Sequence, residues 1–252
     1  MADLEAITEY LDSVFKPYLF DDIVLNGLQI KCANKQVKNV GLSVDVTGDI
    51  LAKAGQKEVG LLISHHGLLT RELGRFDLVM SKRLNYIFTN NINIYACHLP
   101  MDAHFEFGHS HVLAKMLELA DPKPFPNENI PYGCYGRWLG TAKELENKLD
   151  EILGTRAKKV FRFSKIVRNP KVAIVSGSGT AFLNDAFSLG INFFITGEPR
   201  YSGLVYAKDA QISVFCYGHY QTETLGLYEL ANHLKSKFDL NRVEVLHSFI
   251  DF

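Results

Sequence analysis

The sequence has few of the residues that mark a disulfide-rich or cysteine-dependent protein. Its four cysteines, spread through 252 residues, include no C-x-x-C pair. This excludes the disulfide framework of small secreted domains and a standard zinc knuckle. Cys97 and Cys216 lie inside apolar runs, where free cysteine acts as a small buried side chain. We therefore expect no cysteine chemistry.

Long apolar runs and a charge imbalance are also absent. No apolar run reaches the roughly 20 residues that a membrane-spanning helix needs. The acidic start, Met1–Glu5, lacks the basic and apolar regions of a signal peptide. The formal net charge is −1, which gives no strong attraction to nucleic acid or to an acidic membrane. We expect a soluble, cytoplasmic protein whose partner is a small molecule, with no membrane binding and with nucleic acid disfavoured.

Strand-like and helix-like patterns alternate along two stretches of the chain, which predicts βαβ units and a parallel sheet in each. The predicted parallel strands are residues 40–44, 59–63, 92–97, 172–175, 191–195 and 212–217. The predicted fold class is α/β, with two similar βαβ-type lobes that form a pseudo-repeat. We place the first lobe at 1–123 and the second at 124–252, with the proline-rich segment 121–127 as a hinge between them.

Two adjacent histidines, His65 and His66, follow one of these apolar strands. Ligands of parallel sheets bind outside the carboxyl ends of the strands. Both imidazoles can be neutral there if they ligate a metal ion. The alternative is that one histidine is hydrogen-bonded in the core and the other is exposed.

Two later strand ends also carry groups that could bind a metal. Asp102, four residues after His98, is interpreted either as a metal ligand or as the N-cap of the next helix. His219 and Glu223 are four residues apart at the start of a predicted helix, so they either serve one ion or form an incidental surface pair. Three imidazoles and two carboxylates suit two ions that share a bridging carboxylate. Nitrogen and oxygen donors allow zinc, manganese, iron, cobalt or nickel.

Other polar residues are weaker candidates. The turn Gly177–Gly179 opens a helix and either holds an anion or makes a tight strand-to-helix turn; it lacks the lysine of a P-loop. Glu198 is interpreted as a partner of a ligand, a general base or a solvated carboxylate. His98 and His104 are candidates for carrying protons or assisting a substrate. His109 and His111 are expected on the surface.

Six motifs occur along the chain in an order that resembles a known family. They are Asn26-Gly27-Leu28-Gln29, Ser64-His65-His66-Gly67, His98-Leu99-Pro100-Met101-Asp102-Ala103-His104, Gly177-Ser178-Gly179, Thr196-Gly197-Glu198 and Gly218-His219-Tyr220-Gln221-Thr222-Glu223. Together they are similar to the NIF-three-like family of GTP cyclohydrolase 1 type 2 homologues, over nearly the whole chain. Gly67 stands where many relatives have proline. The chain resembles the short form, without an inserted middle domain.

The resemblance implies a two-lobed α/β fold with a dinuclear metal site in the cleft between the lobes, at the carboxyl ends of the strands. It implies two divalent metal ions per chain and assembly into a ring-shaped homohexamer. The ligands that it implies are His65, His66, Asp102, His219 and Glu223, with Asp102 bridging the ions.

Three functions are consistent with these residues. The first is a metal-dependent hydrolase, cyclohydrolase-like, that acts on a small polar, nucleotide-like substrate. The second is a non-catalytic protein that stores or delivers metal, or binds a regulatory ligand. The third is a ring-shaped scaffold whose metals stabilise the fold. The same ligands serve all three, so sequence alone does not separate them.

Overall fold

The computed structural model describes residues 1–165 and 168–248. Its strands, in chain order, are β1 (Ala2–Asp3), β2 (Gly27–Ile30), β3 (Gln36–Val37), β4 (Asn39–Ser43), β5 (Leu61–Ser64), β6 (Asn93–Ala96), β7 (Ala120–Asn127), β8 (Ile130–Arg137), β9 (Lys159–Phe161), β10 (Lys171–Val175), β11 (Phe193–Thr196), β12 (Ser213–Cys216) and β13 (Arg242–Val245). Its helices are α1 (Leu4–Phe15), α2 (Gly48–Gln56), α3 (Leu78–Thr89), α4 (Leu99–Asp102), α5 (His109–Met116), α6 (Ala142–Leu153), α7 (Leu183–Ser188), α8 (Tyr201–Asp209), α9 (His219–Thr222) and α10 (Leu225–Lys237). The chain forms two compact units: Met1–Met101 with the segment that begins at Leu227, and Asp102–Gly226.

The first unit is built on a five-stranded sheet in the order β13-β4-β5-β6-β2. The first four strands are parallel, and β2 is antiparallel to β6. All four residues of β5 are buried, as expected for a parallel strand with both faces covered. Ser43 pairs with Ser64, and Ser64 pairs with Ala96. This register places the carboxyl ends of β4, β5 and β6 side by side.

The second unit contains a six-stranded sheet in the order β7-β8-β10-β11-β12-β9. Its parallel centre is β10-β11-β12, with Val175 beside Thr196 and Thr196 beside Cys216. Leu145 and Leu149 of α6 belong to one buried apolar cluster with strand residues of this sheet. Residues of α7 and α8 belong to a second cluster with other strand residues. Each unit therefore has three neighbouring parallel strands that follow each other in the chain, which confirms the predicted α/β class and the repeated βαβ order.

The last strand belongs to the sheet of the first unit, so the compact units do not have the predicted bounds of 1–123 and 124–252. Val243 of β13 pairs with Val40, and Val245 pairs with Leu42. The edge of β4 that does not face β5 thus gains a strand partner from a late segment of the chain. Sequence order placed β13 after the second set of strands and gave no information about which sheet it joins.

The proline-rich segment is a strand, and its prediction as a hinge was wrong. β7 is an edge strand that pairs with β8, and its register shifts on both sides of the paired run Lys123–Phe125. Proline lacks the amide hydrogen that a central strand needs, but an edge strand tolerates this loss. The Phe125 side chain is fully buried, which anchors the segment in the second unit.

A charged network supports the end of β12, just before the predicted ligand His219. The Tyr217 hydroxyl donates to Asp150 Oδ1 at 2.6 Å, and Lys158 Nζ lies 2.8 Å from Glu146 and 2.7 Å from Asp150. Burial would raise the pKa of Glu146, but hydrogen bonds from Lys158 and Arg162 outweigh it and hold the pKa below its ordinary value. These contacts fix the strand end to α6.

Among the helices of the described residues, none is long and apolar enough to span a membrane.

Candidate metal centre

Three histidines of the first unit lie together at the carboxyl edge of its sheet. His65 and His66 follow β5, and His98 follows the neighbouring strand β6. One ring nitrogen from each lies within 4.8 Å of the others. The ring centroids are 5.1 Å apart for His65 and His66, and for His65 and His98. The structure thus brings His98, interpreted from sequence as a proton carrier, into the same cluster as two predicted ligands.

Each of the three imidazoles has its Nδ1 atom against an oxygen acceptor. The Nδ1–oxygen pairs are His65 with the Cys97 carbonyl at 3.0 Å, His66 with Asp45 Oδ1 at 2.7 Å and His98 with Asp22 Oδ1 at 2.9 Å. Because these oxygens only accept, the neutral rings carry their proton on Nδ1 and their lone pair on Nε2. Metal-binding histidines are oriented in this way by their outer partners. The cluster therefore presents three nitrogen donors of one tautomer.

Asp22, the hydrogen-bond partner of His98, was not identified as a site residue from the sequence. Its buried carboxylate also accepts hydrogen bonds from the Val24 amide at 3.2 Å, Asn26 Nδ2 at 2.8 Å and the Leu99 amide at 3.1 Å. Burial would raise the pKa of Asp22, but hydrogen bonds from His98, Asn26 and Leu99 lower it to about 2. The group is an anion at neutral pH and a fixed acceptor for the imidazole.

In the second unit, His219 lies between two carboxylates. Its Nε2 atom is 3.1 Å from Glu223 Oε2, and its Nδ1 atom is 3.2 Å from Glu198 Oε1. Two ligands of one zinc ion, at about 2.0–2.2 Å from the metal, lie roughly 3–3.5 Å apart. The separation between His219 and Glu223 fits that value. Glu198 stands where it orients the ring, so its interpretation as a partner of a ligand agrees with the geometry.

Gly177 lies against this pair and leaves no room for a side chain. Its φ is +59°, and a Cβ atom at this position would be 2.2 Å from Glu223 Oε1 and 3.2 Å from His219 Nε2. Only glycine combines this backbone conformation with such a close approach at little cost. Glycine is therefore needed at position 177 because the Glu223 carboxylate occupies the space that a side chain would fill.

Asp102 contacts the same turn through the residue that precedes Gly177. Its carboxylate is buried, and the Ser176 hydroxyl donates to Asp102 Oδ1 at 3.4 Å. Ser176 and Gly177 are adjacent, so Asp102, His219 and Glu223 all lie around one turn after β10. The second unit thus gathers three of the five predicted ligands.

In the turn Gly177–Gly179, the amides of both glycines are engaged within the fold. The Gly177 amide donates to Thr222 Oγ1 at 3.1 Å, and the Gly179 amide donates to Thr196 Oγ1 at 2.9 Å. A 3-10 turn, Gly179–Phe182, follows. The alternative interpretation, a tight turn after a strand, agrees with the structure, and two of the amides that an anion would need are already engaged by threonine hydroxyls.

The three histidines after Asp102 have separate surroundings. His104 Nδ1 accepts the amides of Glu106 and Phe107, both at 3.2 Å. His109 and His111 are buried in α5, so the expectation that they lie on the surface was wrong. Burial, helped by His104, lowers the pKa of His111 to about 4. Both side chains point inward because α5 packs against the sheet of the second unit.

The whole chain matches a known family. The family model described as "Duf34/NIF3 (NGG1p interacting factor 3)" matches residues 2–252. A protein of Pyrococcus horikoshii is 32% identical over 247 residues and covers 96% of each chain. A protein of Borreliella burgdorferi is 35% identical over 236 residues, covering 91% of this chain and 92% of its own. Both carry the name "GTP cyclohydrolase 1 type 2 homolog".

Solved structures of other proteins have the same fold as this chain. TTHA1606 from Thermus thermophilus superposes with a TM-score of 0.86 at 33% identity, over 98% of this chain and 99% of the other. HcgD from Methanocaldococcus jannaschii gives a TM-score of 0.88 at 24% identity, over 98% of both chains. The resemblance inferred from the six motifs is thereby confirmed, and the chain belongs to the Duf34/NIF3 family.

Proposed function

We propose that the protein binds two divalent metal ions per chain through His65, His66, Asp102, His219 and Glu223, with Asp102 bridging them. The observation that carries this proposal is the tautomer shared by the histidines of the first unit, whose Nδ1 atoms all contact oxygen acceptors. Of the five proposed ligands, the first unit holds the two adjacent histidines and the second unit holds the rest. We therefore propose that ligands from both units bind the ions in one cleft.

The donor set fits a borderline divalent ion. Imidazole and carboxylate ligands suit zinc, manganese, iron, cobalt and nickel, whereas soft thiolate sites would need cysteine. Among the described cysteines, Cys97 directly follows β6 and Cys216 ends β12, and both are buried. Burial raises the pKa of the Cys216 thiol to about 12, which disfavours the thiolate that a metal would bind.

We further propose that the site catalyses hydrolysis of a small polar, nucleotide-like substrate, with GTP as the first candidate. When bound, paired divalent ions polarise the bond to be cleaved and lower the pKa of water to near neutrality. His98, with its proton held on Nδ1 by Asp22, accepts a proton at Nε2 unless it completes the ligand set. Glu198 orients His219 and accepts a proton as a base. His104, whose Nδ1 is an acceptor of two amides, presents a donor Nε2–H to the substrate.

The test is turnover by metal-loaded protein, in the ring-shaped homohexamer that we expect it to form. Zinc, manganese and iron forms are incubated with GTP, phosphoesters and cyclic amides, and products are separated by chromatography with mass detection. We expect turnover that is lost in His219→Ala, because that variant lacks a ligand, and retained in His233→Ala, whose imidazole contacts Tyr10 instead. Two bound ions with no turnover of any of these substrates would favour metal storage or delivery, or regulatory ligand binding, over hydrolysis.

A further inference from the structure

His109 is a buried histidine whose hydrogen bond differs from those of the first-unit cluster. It is the first residue of α5, and its side chain is fully buried. Its Nδ1 atom accepts a hydrogen bond from the backbone amide of Gly226 at 3.0 Å. A backbone amide can only donate, so Nδ1 supplies a lone pair. The neutral ring then carries its proton on Nε2.

This tautomer is opposite to that of His65, His66 and His98. Those rings present a lone pair at Nε2, which binds metal, whereas His109 presents an Nε2–H group, which donates a hydrogen bond. A neutral His109 therefore does not ligate an ion through Nε2. The proximity of His109 to a carboxylate would, taken alone, suggest that His109 is a further metal ligand.

The Asp102 carboxylate is a hydrogen-bond acceptor that lies near His109. A ring nitrogen of His109 lies within 4.8 Å of an Asp102 carboxylate oxygen. Among the described residues, the structure shows no direct hydrogen bond from His109 Nε2, so a small side-chain movement or a single water molecule is needed to join the two groups. Asp102 also receives the Ser176 hydroxyl at 3.4 Å, and Ser110 Oγ in turn accepts the Ser176 amide at 3.0 Å. α5 thus supplies His109, which lies near Asp102, and Ser110, which holds the Ser176 residue that contacts Asp102.

We infer that His109 is a positioning residue, which donates Nε2–H to the Asp102 carboxylate and is not a metal ligand. The inference rests on the proposed function only in that Asp102 binds metal. A carboxylate has about four lone-pair sites, so donors from His109 and Ser176 leave positions for two ions. Outer partners of metal ligands contribute roughly 10- to 100-fold to metal affinity.

The first arm of the test needs no metal. Long-range proton–nitrogen NMR correlation of histidine-labelled, metal-free protein is expected to show the Nε2–H tautomer for His109 and the Nδ1–H tautomer for His65. Asp102→Asn is expected to shift the His109 Nε2–H resonance, and Asp45→Asn is expected to leave it in place. An Nδ1–H tautomer for His109, or no response to Asp102→Asn, would overturn the inference whether or not the protein binds metal.

The second arm measures zinc affinity by competition with a chelator. His109→Phe keeps a ring but removes the donor, and we expect a 10- to 100-fold loss of affinity. His109→Asn keeps an acceptor and a donor, and it should recover most of the loss. His111→Phe, which changes another buried histidine of α5, controls for altered packing. Equal losses in His109→Phe and His111→Phe would contradict a positioning role.

A wild-type protein that binds no zinc, with the NMR result as expected, would reject the proposed function and leave the His109–Asp102 contact standing.

Discussion

Gly177→Ala is expected to reduce metal affinity by at least the roughly 10- to 100-fold that loss of an outer partner costs. The new methyl group would stand 2.2 Å from Glu223 Oε1, and the flexible carboxylate would have to rotate away from it. The same movement separates Glu223 from His219, whose 3.1 Å contact fits two ligands of one ion. The measurement is zinc affinity by chelator competition, together with the free energy of unfolding.

Gly154→Ala is the matched control for this prediction. Gly154 also has a positive φ, +73°, but nothing lies within 4 Å of its Cβ position. Both variants therefore place a side chain at a positive φ, which costs about 1–3 kcal/mol, and only Gly177→Ala meets the carboxylate. We expect a loss of stability in both variants and a loss of metal affinity in Gly177→Ala alone. Unchanged zinc affinity in Gly177→Ala would show that Glu223 is not a ligand, or that its ligating position does not depend on this contact.

Asp22→Asn is expected to weaken metal binding by up to the roughly 10- to 100-fold that loss of an outer partner costs. The substituted side chain would touch no metal, but it would change the tautomer of His98, which lies in one cluster with the proposed ligands His65 and His66. Asp22 Oδ1 accepts the Val24 amide and Oδ2 accepts the Leu99 amide. An asparagine at position 22 would put its NH2 group in place of one of these two oxygens. That NH2 group would then face a backbone amide that also donates, so neither group would have an acceptor. In one of the two orientations it would also donate to His98 Nδ1, and this would move the lone pair away from Nε2. Leaving a buried donor without an acceptor costs about 1–3 kcal/mol of stability.

Asp12→Asn in the same unit is the comparison for Asp22→Asn. Asp12 Oδ1 accepts the Tyr95 hydroxyl at 2.8 Å, and that hydroxyl can rotate to accept from an amide. We expect Asp12→Asn to retain its metal content, measured at equal protein concentration after the same zinc loading. Histidine NMR of Asp22→Asn should show a changed environment at His98. An unaltered His98 resonance and full zinc affinity in this variant would mean that Asp22 does not set the orientation of the imidazole.

The parallel strands and the groups at their ends were accessible from the sequence. Short apolar runs followed by histidine or acidic residues, as at His65 and His219, have the period and the boundaries of buried parallel strands. The sheets in the structure place these residues at the predicted edges. Spacing of four residues also predicted the contact between His219 and Glu223.

The residues that hold the ligands were not accessible, because their partners depend on tertiary packing. Asp22 lies in a loop, and no spacing relates it to His98, whereas Asp45 follows the strand β4 that neighbours β5 and was expected at the same edge as His66. His109 looked like part of a polar surface because its neighbours His104 and His111 are also histidines. Its burial depends on how α5 packs on the sheet. The sheet joined by β13 depends on strand pairing over about 200 residues of sequence, for which one sequence has no signal.

Metal content per chain is the measurement that tests the central claim most directly. Plasma mass spectrometry is applied to the wild type, to His65→Ala, to His219→Ala and to the control His233→Ala, all after the same reconstitution with zinc, manganese or iron. The proposal of a site built from both units predicts about two ions per chain in the wild type and the control. It predicts loss of metal in both ligand variants, although His65 and His219 belong to different units. No bound metal in the wild type, or full metal content in either ligand variant, would contradict it.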